Sequence, residues 1–127
     1  MVSGMAWDGP PRPDDKGFMP VDGFNQFLDG HRDVARSPIR ATIEFVRLKD
    51  PTGETTTVRS TSSQLENPQD VRVVLTEDGL PDDSIRSVRY VLRFDKRGQE
   101  WRLKRARRLQ RCQPGRGHQK FSPQACR

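Results

Sequence analysis

Apolar and polar positions alternate most regularly in the last third of the chain. Val88, Tyr90, Leu92 and Phe94 interleave with Arg89, Val91, Arg93 and Asp95, the period-two pattern of a strand with one buried and one wetted face. Asp95-Lys96-Arg97-Gly98 places Asp first and Gly last in a four-residue turn, and Trp101 and Leu103 resume the alternation on a return strand. Leu103, Ala106 and Leu109 then recur every third position among good helix formers, so a helix over 104–111 competes with a strand there. The preceding turn commits the chain to pair backward and favours the strand, which puts Arg105, Arg107 and Arg111 on one face and Lys104 and Arg108 on the other.

Upstream, Phe24, Phe27, Leu28 and His31 fall at i, i+3, i+4 and i+7 and predict one long helix over 20–36. Asp22 is its expected N-cap and Ser37-Pro38 its stop, because the residue before a proline is driven from helical angles. Gly23 and Gly30 weaken this helix, each by up to about 1 kcal/mol relative to alanine. Ile39, Ala41, Ile43 and Phe45 alternate with Arg40, Thr42 and Glu44 and predict a first strand. Asp50-Pro51-Thr52-Gly53 reads as a hairpin turn leading into a Thr-rich edge strand over 54–61. Ser62 to Asp70 is loop, Val71, Val73 and Leu75 form a third strand, and the polar stretch from Glu77 to Ser84 leads to the terminal hairpin. Residues 1–19, rich in Gly, Pro and Asp, form an expected flexible lead, in which Trp7, Phe18 and Met19 are the residues able to dock on the body.

The fold class is therefore α+β: one N-terminal helix packed on a single antiparallel sheet of about five strands, over 20–127. With 31% hydrophobic residues among 127, one small sheet with little covering it is expected. No apolar run approaches the roughly 18–20 residues of a membrane-spanning helix. The N-terminus lacks the basic end and apolar stretch of a signal peptide, so an exported form would have lost its leader or would start elsewhere.

Charge changes the picture. The net charge is +6, yet all 17 acidic residues lie at or before Glu100, whereas nine of the 23 basic residues follow it. This asymmetry permits an anionic partner, either nucleic acid or a lipid headgroup surface, although a solvated Arg-rich strand and tail is its simpler explanation. The candidate anion-binding residues are Arg102, Lys104, Arg105, Arg107, Arg108, Arg111 and Arg116. Tyr90, Phe94 and Trp101 lie near this charge and would offer stacking surfaces for RNA, but they fall on the alternating apolar face and read first as core.

Cys112 and Cys126 flank a segment bent by Pro114, Gly115 and Gly117, an arrangement that invites a disulfide stabilising the fold by on the order of 3 kcal/mol. Two free thiols in a cytosolic protein, or half of a metal site, are the alternatives. Only His118 lies nearby and there is no C-x-x-C, so metal is the weakest of the three. The same loop, with Gly115, Arg116 and Gly117, looks like a phosphate cradle but lacks the Lys-Ser/Thr ending of a P-loop, and turn glycines explain it better. Cys112 with His118 as nucleophile and base competes with the structural pairing to Cys126. His31 reads as a boundary residue of the helix. The carboxylate pairs Asp14-Asp15 and Asp82-Asp83 have no calcium-loop spacing.

As a pattern, DDS…RYVLRF…GQEWRL…A…RCQPGRGHQKFSPQAC, from Asp82 to Cys126, resembles the C-terminal half of a group of small uncharacterised bacterial proteins, frequent in cyanobacteria, many with an export or lipoprotein leader. The resemblance implies an exported or envelope-facing domain with paired cysteines, and no activity. The order of elements is similar to cystatin-like or NTF2-like sheets at the level of architecture only. The expected function is a non-enzymatic, envelope-associated domain, periplasmic or secreted, with a basic C-terminal face for an anionic partner or surface and no cofactor or metal. One rival is a cytosolic nucleic-acid-binding module using the Arg-rich segment 102–111. A second is a small-ligand or enzymatic pocket between helix and sheet.

Overall fold

The computed structural model describes residues 6–48 and 53–127. The chain is α+β: among the described residues, three short helices lie on one face of an open five-stranded antiparallel sheet. In chain order the elements are β1 (Phe18–Met19), α1 (Asp22–Asp29), α2 (Arg32–Ala35), α3 (Pro38–Val46), β2 (Thr55–Thr61), β3 (Asp70–Asp78), β4 (Ile85–Arg97) and β5 (Glu100–Cys112). Across the sheet the order is β1-β5-β4-β3-β2.

Several expectations for the N-terminal half are corrected. The long helix over 20–36 is two helices, because Gly30 closes α1 and His31, at φ −137° and ψ 68°, turns the chain before α2 begins. Asp22 is the first residue of α1 rather than its cap; Val21 occupies the cap position without a side-chain bond. The strand over 39–45 is helix α3. Ser37 is extended (φ −131°, ψ 114°), its side chain accepts the Arg40 N–H, and Pro38 takes the first helical position, where its missing N–H costs nothing. Ala41 and Phe45, four residues apart, then share the buried face, while Ile39 is 42% exposed. The turn at 50–52 lies outside the described residues. β2 pairs with β3 and not with the 39–45 segment.

The terminal hairpin forms as expected, and β5 is strand throughout. Its strands run further than the proposed turn, to Arg97 opposite Glu100, leaving Gly98 and Gln99 as a two-residue loop. Gly98, at φ 64°, supplies the positive φ such a loop needs at its first position. A bulge at Lys104 separates the Phe94–Leu103 and Leu92–Ala106 pairs. Leu103 and Ala106, three residues apart, therefore both reach the core, which accounts for the period-three spacing without a helix.

The core lies between the helices and the inner face of the sheet. Phe24, Leu28 and Phe45 from the helices meet Val73, Leu92, Phe94 and Leu103. Phe24 and Phe45 cross edge to face at 5.1 Å, and Trp7 packs against both while its Nε1 donates to the Phe45 carbonyl at 2.7 Å. Residues 6–19 thus lie on the body instead of forming a separate lead, with Trp7, Phe18 and Met19 as the docking residues.

The outer edge of β5 is closed piece by piece. Asn25, buried on α1, exchanges two hydrogen bonds with the Leu103 backbone at 2.8 and 2.9 Å. Farther along, β1 pairs at Ala106 and Arg107, Gly17 accepts the Arg108 N–H, Ser122 bridges Gln110 and the His118 carbonyl accepts the Cys112 N–H. These contacts bring Phe18 and Phe121 to the margin of the uncovered face.

Candidate functional site: an arginine-lined sheet face

Side chains alternate across a strand, so the register fixes what the helix-free face of the sheet displays. β2 contributes Arg59, β3 Arg72, β4 Arg89 and Arg93, and β5 Arg105, Arg107 and Arg111. Arg72 stands opposite Arg93, and Arg93 opposite Arg105, so three arginines lie abreast on three adjacent strands. Like charges directly opposite on a sheet are mutually destabilising. Among the described residues, Arg59, Arg72, Arg93 and Arg105 make no ion pair.

Between the guanidinium groups the floor is apolar. Val74, Val91 and Leu109 are half-buried there, and a depression of about 220 Å³ is lined by Phe18, Arg72, Val91, Arg93, Arg105, Arg107 and Leu109. The Phe18 ring lies beneath Arg107 and Arg105, at 4.9 and 5.1 Å from the guanidinium carbons. Arg107 is further held by its Nε donating to the Lys16 carbonyl. At the other end Phe121 packs closely under Arg89, at 3.9 Å, and more loosely under Arg111, at 5.4 Å. Arg–aromatic stacks of this kind hold the guanidinium plane while leaving its edge donors free.

One end of the face is internally neutralised. Asp78 accepts from Ser87 Oγ, from Arg111 Nη2 at 2.8 Å and from the Gly79 N–H at 3.0 Å. The Ser87 hydroxyl above all, and then the Arg111 guanidinium, hold the Asp78 carboxyl below its ordinary range. A carboxylate whose folded pKa is depressed stabilises fully above its unfolded pKa, about 3.9, and its contribution is lost as pH falls through the lower folded value. In denaturant titrations the stability gap between the wild type and Asp78→Asn is therefore expected to be constant above about pH 5 and to shrink steadily below about pH 4. A gap independent of pH would show that the carboxylate plays no part.

The seven residues proposed from the basic tail are dispersed by the fold. Arg105, Arg107 and Arg111 share the open face, as the alternation predicts. Arg102 instead pairs with Asp29 of α1 at 2.7 Å, Lys104 lies 3.9 Å from Asp95, and Arg108 donates to Gln110 Oε1. Arg116 sits exposed in the cysteine loop. Arg59, Arg72, Arg89 and Arg93 escaped the sequence reading, which weighed the acid-free tail. Their signal was their place at the polar positions of strands whose apolar positions were identified.

Cys112 and Cys126 form a disulfide with Cα atoms 5.5 Å apart. Gly117, at φ 140°, lets the loop pass close to it; a Cβ there would sit 3.0 Å from the Cys112 sulfur. The ligand atoms of Cys112, His118 and Cys126 lie within 4.8 Å of one another, but sulfurs joined to each other are not thiolate ligands or nucleophiles. His118 braces the loop, with Nδ1 and Nε2 at the Lys120 and Gln124 carbonyls, 2.7 and 2.9 Å away. His31 stacks on Phe27 with its Nδ1 at the Phe27 carbonyl. Asp82 accepts the Ser84 and Ile85 N–H groups, and Asp14 those of Lys16 and Phe18, so both carboxylates organise turns. Phe94 and Trp101 are core residues, and Tyr90 is partly buried against the core. The space between helices and sheet is filled by the aromatic core, where the buried polar groups Asn25 and Thr42 are bonded to backbone carbonyls.

No helix among the described residues is long and apolar enough to cross a membrane. No family model, curated protein or solved structure matches this chain.

Proposed function

We propose that this chain is a non-enzymatic binding domain that holds an anionic partner on the uncovered face of its sheet, and that it works in an oxidising, envelope-facing compartment. The observation that carries the first part is the row Arg72–Arg93–Arg105, set abreast and, among the described residues, without an ion pair, although Asp70 and Asp95 stand next along β3 and β4. Such a row weakens the free sheet and gains its missing charge when an anion binds, so the cost in stability is intelligible as a binding device. Guanidinium groups take phosphate-type oxyanions in bidentate fashion, and stacking on Phe18 limits the freedom lost on binding. The non-enzymatic reading is supported by the commitment of Cys112 to a disulfide. The compartment is supported by the same bond and by the likeness of the C-terminal segment to exported bacterial proteins.

Arg93→Thr tests the reading because it separates stability from binding. Removing the central charge is expected to raise stability by about 0.5–1 kcal/mol at low salt, with the gain shrinking as salt is added. Binding to immobilised inorganic polyphosphate should weaken about tenfold and its salt dependence should flatten, as one fewer counterion is released. Unchanged binding would remove the sheet face from the function. For the compartment, thiol alkylation of freshly lysed producing cells should find both cysteines blocked, and two reactive thiols would reject that part of the reading.

A further inference from the structure

The same face has a second character besides charge, and it narrows the partner. The three arginines are rooted on neighbouring strands about 4.8 Å apart, so the row is about 10 Å long and runs across the strands. A ligand matching it carries several anionic groups along a narrow, flexible chain. Directly beside the row lies a recessed floor of Val91 and Leu109, closed at the β1 margin by the half-buried Phe18 ring. Phe121 is tightly covered by its own Arg89 at 3.9 Å, whereas the guanidinium groups over Phe18 stand at 4.9 and 5.1 Å, which leaves Phe18 the looser of the two stacks.

These features together exclude simpler anions. Inorganic polyphosphate would match the arginines and make no use of an apolar floor. A bilayer surface meets what protrudes, and here the arginines protrude while the apolar groups are recessed. A duplex would present phosphates but keep its bases stacked away from the sheet. Resting on the anion-binding reading above and independent of the compartment proposed with it, we infer that the partner is single-stranded nucleic acid, its phosphates on Arg72, Arg93 and Arg105 and a base laid against Phe18. Charged grooves combined with aromatic stacking are the sequence-tolerant way in which sheets take unpaired strands.

The test uses the full oxidised chain and a fluorescent oligo(dT) of roughly 12 nucleotides, within the usual length of such sites. Inorganic polyphosphate, a duplex of the same length and phosphatidylglycerol vesicles serve as competitors. Wild-type protein should bind the single strand in preference to all three, with affinity falling steeply as salt rises. Phe18→Leu, which keeps an apolar residue in β1, should weaken oligo(dT) binding about fivefold or more without altering its salt slope, and should weaken polyphosphate binding by less than about twofold, because polyphosphate loses only the stacks that hold Arg105 and Arg107. The double variant Arg72→Gln/Arg93→Gln should lose more than tenfold for oligo(dT) and polyphosphate alike and flatten both salt slopes; its unpaired surface positions leave the fold intact, as circular dichroism would verify. If Phe18→Leu binds as well as wild type, or if duplex, polyphosphate or vesicles compete equally, the nucleic-acid inference is overturned while the arginine face stands. If the double variant binds everything as wild type does, the face itself is refuted.

Discussion

Replacing Phe45 by alanine is expected to lower the unfolding free energy by about 3–5 kcal/mol, the usual cost of emptying a ring-sized space in a core. Phe45 is fully buried and joins three separate parts of the chain: Trp7 stacks on it at 5.5 Å, Phe24 meets it edge to face at 5.1 Å, and α3 carries it over the sheet. The hole cannot close easily, because the Trp7 indole is tied to the Phe45 backbone carbonyl, which the substitution leaves in place. Urea unfolding should show a lower midpoint with an unchanged slope. Ile39→Ala, at a position 42% exposed on the same helix, should cost far less. Similar losses at 39 and 45 would be the signature of a strand with both side chains inward and would contradict α3.

The second large effect belongs to the disulfide. The double substitution Cys112→Ala/Cys126→Ala is expected to cost about 2–5 kcal/mol, seen as a fall in melting temperature on the order of 10 °C. The loop it closes also carries Ser122 and Phe121 to the edge of β5. Arg72, Arg93 and Arg105, in contrast, are placed by the pairing of β3, β4 and β5 and need nothing from the loop. Polyphosphate binding below the melting transition should therefore stay within about twofold of wild type, since the phosphate contacts are untouched. Loss of binding in parallel with stability would mean that the loop, and not the sheet face, forms the anion site.

The elements legible in the sequence were those whose pattern had a single physical explanation. Alternation from Val88 to Phe94 admits only a strand, and the hairpin followed. The segment from Ile39 to Phe45 had two explanations, since apolar residues at every second position also include the i, i+4 pair Ala41 and Phe45. Ser37-Pro38 reads as a stop and is in fact a start: the extended residue that a proline demands before it is also the backbone shape of an N-cap. Gly30 reads as a weak point of the predicted helix, and α1 ends there. The period-three run in β5 was ambiguous because a bulge is set by pairing with β4 and leaves no mark on one strand alone.

The candidate site divides the same way. Arg105, Arg107 and Arg111 follow from alternation within one strand. The row they belong to depends on register across three strands, so Arg72 and Arg93 stayed hidden although each occupied a polar position of a correctly read strand. Phe18 reads as able to dock, but a two-residue strand in a Pro- and Gly-rich segment carries no period from which its face could be deduced.

The two margins of the sheet are unlike. β5 is sealed along its length by Asn25, β1, Ser122 and the His118 carbonyl, whereas β2, exposed at nearly every residue, makes no backbone bond to a further strand among the described residues. Two copies joined edge to edge at β2 would turn the largely capped β1–β5 side outward, so growth of such a pair into a filament by further strand pairing is disfavoured.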